Sequence, residues 1–442
     1  MVHFGWICRL LGRSRGGFTV KFIEELAAKR RFGMRPGLDA IRDVCASLGN
    51  PQNAVRAIHV AGTNGKGAVC AILDSCLRAA GFKTGRYTSP HLVRLNERFF
   101  LNGSPADDET LEKHAILVQN AISNRGQSPS NRGLSPVDLT FFEALTAVAF
   151  SLYAERKPDF TILETGLGGR LDATNICKPV LTVITRIGLD HCDWLGDSPS
   201  KIALEKAGII KTGVPVVVGA NDAEVLDVIR RRADEVGAPF VYAPEKASLN
   251  DIPCEFALQG PFNRENATTA IAALKTLGTR NYEDGFKSVV WPGRFQVIGN
   301  FIVDGAHNPP AAHALAEALV HMPRQEYLIA GFCGDKDVDE VLRTLAPFVR
   351  MGIAVKTGNP RSLSAEAVAC KMKSAGICAV SADSLKNAIS KVGTVPTLIC
   401  GSLFLAGEAL VELGAYPWGQ SPKNGGGQSP RFDPSELLKP EG

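Results

Sequence analysis

Two α/β domains, a large doubly wound one built around a phosphate loop and a smaller C-terminal Rossmann-like one, are predicted by three features of the sequence. Short β-branched runs alternate with helix-length segments between residues 56 and 236, and a glycine-rich turn carrying a lysine joins the first strand to the first helix. The alternation then restarts after the Trp-Pro-Gly turn at 291 to 293. Strand, crossover, strand repetition implies βαβ units and a parallel sheet.

In the first domain, residues 56–60 (RAIHV), 159–164 (DFTILE), 180–185 (VLTVIT) and 214–218 (VPVVV) suit buried parallel strands bounded by turn signals, and TGRYTSPH suits a further one. Residues 66–80, 107–122, 141–156, 199–207 and 222–236 suit helices between them. In the second domain the strands are 300–304, 326–331, 351–356, 377–380 and 396–400, with helices starting near Asn308, Val338, Ser364, Ser384 and Phe404. The Pro-Gly pair sets the expected boundaries at 1–293 and 294–416, followed by a mobile tail at 417–442. Residues 123–136 (SNRGQSPSNRGLSP) are as poor in apolar side chains as the tail, and are read as a mobile insertion.

Composition narrows the function. A chain of 442 residues with 45% hydrophobic and 21% charged residues is long enough for two or three cores and unlike disordered or fibrous sequences. It contains no run of 18 apolar residues, so no membrane span is expected. A net charge of +4, dispersed over this length, gives no nucleic-acid footprint and directs attention to small-molecule partners. The 11 cysteines, scattered from Cys8 to Cys400 without a C-x-x-C pair, read as reduced side chains of a cytoplasmic protein. Residues 1–18 are basic but lack the apolar core of a secretory signal.

The sharpest local signal is HVAGTNGKGAV, residues 59–69. Gly62, Gly65 and Gly67 let backbone amides approach an anion, the following helix adds its N-terminal partial charge, and Lys66 adds a full one. The strict pattern G-x-x-x-x-G-K-[ST] is not met, because Gly67 and Ala68 follow Lys66 and neither brings a hydroxyl for Mg²⁺. Metal ligands are therefore sought at other strand ends: Thr88 and Ser89, Glu164, and His191. Taken singly, a strand-end Glu also reads as a helix cap and a lone His as an internally bonded polar group. Arg170 and Asp172 lie in the glycine-rich run 166–175, where Arg170 suits a carboxylate or phosphate, although the run also reads as a tight turn. Lys201 and Lys206 sit on one helix, where solvation is the ordinary reading. Asp304, Gly305, Ala306, His307 and Asn308 end the first strand of the second domain, and Arg294 lies at the hinge.

Nine blocks in order, HVAGTNGKG, YTSPHLVRLNERF, ILETGLGGRLDATN, LDHCDWLG, EKAGIIK, ENATTA, PGRFQ, VDGAHNP and CGSLFLAGE, make the chain resemble bacterial folylpolyglutamate synthase and dihydrofolate synthase. These form the folate branch of the Mur-ligase superfamily, and the resemblance runs from about residue 20 to 415. It implies a large ATPase domain, a C-terminal glutamate-ligase domain, and an ATP- and Mg²⁺-dependent ligase that joins L-glutamate to dihydropteroate or a reduced folate through an acyl phosphate. By the same resemblance the phosphate loop falls on Gly62, Thr63, Asn64, Gly65, Lys66 and Gly67, and the Mg²⁺ ligands on Thr88, Glu164 and His191. Lys206 falls on a lysine that is carbamylated in the superfamily and helps hold a second Mg²⁺. Asn266, Arg294 and Asp304 fall on nucleotide-contacting positions, and His307 falls close to the phosphates. The pterin is expected against Thr140, Phe141, Phe142 and Glu143, with Leu171, Asp172 and Ala173 nearby.

One departure is Ala68, where the family usually has Ser; loss of one neutral hydrogen bond costs about 1 kcal/mol, so activity is expected to survive. The leading expectation is a bifunctional monomeric enzyme, with a synthase acting only on reduced folates as the alternative. A cell-wall Mur ligase is disfavoured because about 55 residues before the first strand leave little room for its additional N-terminal domain. A non-catalytic ATP-binding relative has Ala68 as its support and is opposed by Lys66, Glu164, His191, Lys206, Arg294 and Asp304.

Overall fold

The computed structural model describes residues 37–123, 139–334 and 336–418. The expectations for residues 1–18, 124–136 and the tail beyond Trp418 lie outside the described residues. The first sheet contains β1 (Ala57–Ala61), β2 (Thr84–Tyr87), β3 (Phe99–Leu101), β4 (Ser104–Pro105), β5 (Phe160–Glu164), β6 (Pro179–Ile184), β7 (Val216–Val218) and β8 (Phe240–Tyr242). Their order is β4-β3-β2-β5-β1-β6-β7-β8, with β3 and β4 antiparallel to their neighbours and the other pairings parallel. The central strand β1 is buried along its whole length, as its apolar sequence requires for a strand covered on both faces. From β1 the chain steps over one position to β2, and it later crosses from β5 to β6 on the other side of β1. The carboxyl ends of β1, β5 and β6 therefore open together at a topological switch point, where open α/β sheets bind ligands.

Helices cover both faces. On one, Lys66–Ala79 is buried from Gly67 to Leu77 between the sheet and the helices Pro261–Leu277 and Asp284–Ser288. On the other, Phe141–Arg156 packs Leu145, Val148 and Leu152 into a core shared with Tyr87 and Leu163. Thr140 starts that helix by a capping box: the Glu143 amide donates to its hydroxyl (3.2 Å), and the Glu143 carboxylate accepts from the Thr140 amide (2.8 Å).

The second sheet contains β9 (Gln296–Ile298), β10 (Phe301–Val303), β11 (Gln325–Ala330), β12 (Val349–Ala354), β13 (Cys378–Ser381) and β14 (Thr397–Cys400), in the order β13-β12-β11-β14-β10-β9. Only the β9–β10 pairing is antiparallel. Its helices Pro309–Leu319, Val338–Leu345, Ala365–Ser374, Leu385–Val392 and Leu403–Glu412 are each started by a side chain that accepts an amide of the first turn, from Asn308, Asp337, Ser364, Ser384 and Ser402 respectively. These caps are why the starts stand out in the sequence.

Hydrogen bonds from both ends of the junction join the two units. Glu97 accepts the amides of Leu92, Val93 and Arg94 at 2.7, 2.8 and 2.6 Å, and also the Tyr416 hydroxyl at 2.5 Å, which ties the loop after β2 to the end of the second unit. Across the cleft, Asn308 donates to Asp190 at 2.9 Å.

Candidate functional site

The phosphate-type loop is glycine-rich because its neighbours leave no room for side chains. A Cβ at Gly62 would sit 1.8 Å from the Thr185 hydroxyl, one at Gly65 2.2 Å from the Asn266 amide oxygen, and one at Gly67 2.2 Å from the Trp291 ring. Gly65 also has φ +85°, a left-handed conformation that favours glycine. The loop is stitched to the segment after β6. The Thr63 amide donates to the Arg186 carbonyl (2.9 Å), the Thr63 hydroxyl to the Gly188 carbonyl (3.0 Å), and the Thr185 hydroxyl to the Asn64 carbonyl (2.7 Å). Lys66 folds back and donates to the carbonyls of Gly62 and Thr63, at 3.1 Å each.

Glu164, at the end of β5, is buried, and one carboxylate oxygen accepts the Ser89 amide at 2.9 Å. Burial raises its carboxyl above the usual range, against the pull of Lys66, the Ser89 amide and Arg294. The Thr88 hydroxyl is also buried and donates to the Glu97 carbonyl at 3.4 Å, which leaves its lone pairs free. His191 adopts φ +53° and is half-exposed, with burial holding its imidazole below the ordinary value. Lys206 is buried with its ammonium donating to the Gly62 carbonyl at 2.7 Å, and desolvation, reinforced by Lys66, lowers it to about 7.

From the second unit, Asp304 accepts the amides of Phe295 and Ala306 at 2.7 Å each. Desolvation lowers the Arg294 guanidinium, while Asp304 and Glu164 favour its charge. The His307 Nδ1 lies 2.7 Å from the Gly305 carbonyl, so Nδ1 carries the proton and Nε2 is the free acceptor. Burial lowers this imidazole to about 4, and it is neutral near pH 7.

A cleft beside the phosphate-type loop is lined by the Gly62–Thr63 turn, Lys66, the turn at 165–168, Asp190, His191, Leu195 and Lys206. Among the described residues no three His, Cys, Asp or Glu side chains form a metal cluster. The Thr88 hydroxyl, the Glu164 carboxylate and the His191 imidazole are donor types compatible with Mg²⁺, which keeps several waters and phosphate oxygens as ligands.

Around the expected pterin site, Phe141 and Phe142 are half-buried, the Arg98 guanidinium lies 5.7 Å from the Phe141 ring, and Phe142 presses on Gly166. Leu171 is half-buried and Ala173 buried. The two carboxylates there are turned inward. Glu143 closes the capping box, and Asp172 accepts the amides of Gly166, Leu167 and Thr174 and the Thr174 hydroxyl. With its proton committed to Asp172, Thr174 accepts from His59 Nε2 at 2.8 Å, a brace under β1 that the sequence did not reveal. Arg170 pairs with Glu205 at 2.8 Å rather than facing the cleft, and Lys201 pairs with Asp197 at 2.8 Å. The sequence marks Trp291 only as part of the boundary turn and gives no site signal for Thr185 or Lys336; for Asp190, which lines the cleft, the adjacent His191 is the available signal.

Gly169 sets the position of Lys206. A Cβ there would lie 2.8 Å from the carbonyls of Glu205 and Lys206 and 2.9 Å from the Lys206 Cα, all backbone atoms. Gly169→Ala is expected to cost about 1–3 kcal/mol and to lower turnover along with the melting temperature; unchanged melting would show that the helix end yields freely.

A family model for "Mur ligase, glutamate ligase domain" matches residues 293–397. The Bacillus subtilis dihydrofolate synthase/folylpolyglutamate synthase is 38% identical over 325 residues, covering 65% of this chain and 73% of that protein. The Mycobacterium tuberculosis folylpolyglutamate synthase complexed with ADP and AMPPCP superimposes with a TM-score of 0.80 at 30% identity, covering 90% of this chain and 100% of that one. The Yersinia pestis bifunctional folylpolyglutamate synthase/dihydrofolate synthase complexed with AMPPNP and Mn gives 0.77 at 29% identity, over 90% and 98% of the two chains.

Proposed function

This chain belongs to the dihydrofolate synthase/folylpolyglutamate synthase family of Mur ligases, and from that premise we propose that it is a bifunctional enzyme adding L-glutamate to dihydropteroate and to reduced folates. The observation that carries the reading is the electrostatic grouping around the loop: Lys66, which lines the cleft with Lys206, acts on both Lys206 and the buried Glu164, and Glu164 in turn favours the charge of Arg294, so phosphate and carboxylate charge can be handled away from bulk water.

ATP binds through the amides of residues 62–67 and Lys66, with Asn266 against the loop and Arg294 and Asp304 on the nucleotide side. Lys66 exchanges its two loop carbonyls for phosphate oxygens and follows the charge as the γ-phosphoryl passes to the substrate carboxylate. The amine of glutamate then attacks the acyl phosphate: a C–N bond forms, the C–O bond to phosphate breaks, and the amine loses a proton. The neutral His307 lies at the second-unit edge near the phosphates, with Nε2 free to accept a hydrogen bond. Thr88, Glu164 and His191 are the residues that would hold Mg²⁺, which supplies charge neutralisation of the triphosphate. Lys206, converted to a carbamate, would hold a second ion. The half-exposed rings of Phe141 and Phe142 offer stacking faces for a pterin beside Leu171 and Ala173, while Thr140, Glu143 and Asp172 shape that wall through their internal bonds. Ala68 is buried in the helix, and the loop keeps its amides and lysine without a hydroxyl there. A cytoplasmic monomer is the accompanying proposal.

Phosphate release from ATP, Mg²⁺ and L-glutamate, measured with dihydropteroate and separately with tetrahydrofolate, tests the reading. Turnover with both acceptors is expected. Turnover with tetrahydrofolate alone would reduce the enzyme to polyglutamylation, and silence with both would reject ligase function.

A further inference from the structure

The amino acid that attacks an acyl phosphate arrives as an ammonium ion, and the cleft described above is lined by uncharged residues, two lysines, a histidine and one carboxylate. Lys66 and Lys206 face it, and both donate to backbone carbonyls of the loop. The carboxylates near its mouth are almost all committed. Glu164 is buried with the Ser89 amide on one oxygen and Lys66 and Arg294 beside it. Asp304 holds two amides next to Arg294, and Asp172 holds three amides and a hydroxyl.

Asp190 is different. It is the one carboxylate among the described residues that line the cleft, and its side chain keeps 18% exposure. It accepts the His191 amide on Oδ1 and the Asn308 amide group on Oδ2, at 2.9 Å each. Lys336 lies at 3.7 Å from Oδ1, a loose ion pair rather than a hydrogen bond. A carboxylate has about four lone-pair sites, so acceptor capacity remains after these contacts. The two second-unit partners also fix the carboxylate at the junction of the two units.

We propose that Asp190 is the anchor for the ammonium group of the incoming amino acid, holding the nucleophile in the cleft shared with the phosphoryl group. The proposal rests on the ligase reading above. The ammonium donates to the free lone pairs of Asp190, and the anchored nitrogen gives up one proton to solvent water before it attacks. Asn308 and Lys336 hold Asp190 in place as positioning residues.

The test is steady-state kinetics of Asp190→Asn with ATP, Mg²⁺ and folate acceptor saturating. The KM for L-glutamate should rise about tenfold or more, as for loss of a hydrogen bond to a charged group, while the KM for ATP stays within about twofold. L-2-Hydroxyglutarate, which lacks the ammonium, should inhibit the wild type far more weakly than glutamate binds, and Asp190→Asn should lose that discrimination. Asp190→Ser, with a neutral cap for the His191 amide, gives the same comparison should the first variant not fold. An unchanged KM for glutamate, equal rises for glutamate and ATP, or a shift confined to the Mg²⁺ requirement would overturn the proposal, the last by making Asp190 a support for His191. Absence of glutamate turnover by the wild-type protein would instead reject the ligase reading itself.

Discussion

Replacing Glu164 with alanine is expected to lower ligase turnover by about three orders of magnitude while leaving the fold in place. The carboxylate ends β5 at the switch point, and its free oxygen is the one full negative charge in the expected Mg²⁺ ligand set of Thr88, Glu164 and His191. Its contribution to stability has the opposite sign. Burial raises the folded-state value above that of the unfolded chain. The ionised carboxylate therefore opposes folding above the unfolded value, and the penalty is relieved as pH falls through the raised folded value. Glu164→Gln should consequently melt at or above the wild-type temperature at pH 8, with the difference shrinking towards pH 5. Glu164→Ala leaves the Ser89 amide without its acceptor, a cost of about 1–2 kcal/mol that offsets part of that gain. Near wild-type turnover in either variant would sink the metal assignment, and a large fall in melting temperature would make Glu164 a structural residue.

The parts of this fold that the sequence displays are those whose local chemistry and burial agree. The strands β1, β5, β6 and β14 are apolar because both faces are covered, and Asn308, Ser364, Ser384 and Ser402 announce helices because each accepts a first-turn amide. The helix Pro261–Leu277 is not legible in the sequence although it is 17 residues long. It starts at Gly260 without a side-chain cap, and its buried face includes Asn263 and Thr269, so polar residues break the apolar period. Strands β8 and β9 have three half-buried residues each, too few to show alternation. At the site, residue types were legible and partnerships were not. The sequence marks Asp172 and Arg170 as charges beside Glu164, but only the folded chain shows Asp172 spent on capping and Arg170 on Glu205. Asp190 was hidden for the converse reason: its partners Asn308 and Lys336 lie more than a hundred residues away and on the other sheet's side.

Removing the Lys206 amine should separate activity from stability even more clearly. The ammonium is buried against the Gly62 carbonyl, 2.7 Å away, with Lys66 as a like-charged neighbour, and it is lowered to about 7. A base lowered on folding is bound by a proton in the unfolded chain and not in the native one between about pH 7 and its ordinary value of 10.5. Stability therefore rises with pH across that window. Lys206→Met should raise the melting temperature of the ligand-free protein below about pH 7 and flatten the rise above it. The same lowered value leaves a neutral, nucleophilic amine at physiological pH. Its lone pair can add to CO₂, forming an N–C bond and releasing one proton, so that a buried cation beside the phosphate loop becomes a carboxylate able to hold a metal ion. Turnover of Lys206→Met should fall by about a hundredfold or more. The wild type should lose activity in CO₂-depleted buffer and regain it with bicarbonate, and Lys206→Ala should recover in part when acetate or propionate supplies the missing carboxylate. Indifference of the wild type to bicarbonate, together with no rescue of Lys206→Ala by either acid, would leave Lys206 a structural amine that holds the Gly62 carbonyl and would remove the second metal ion from the proposal.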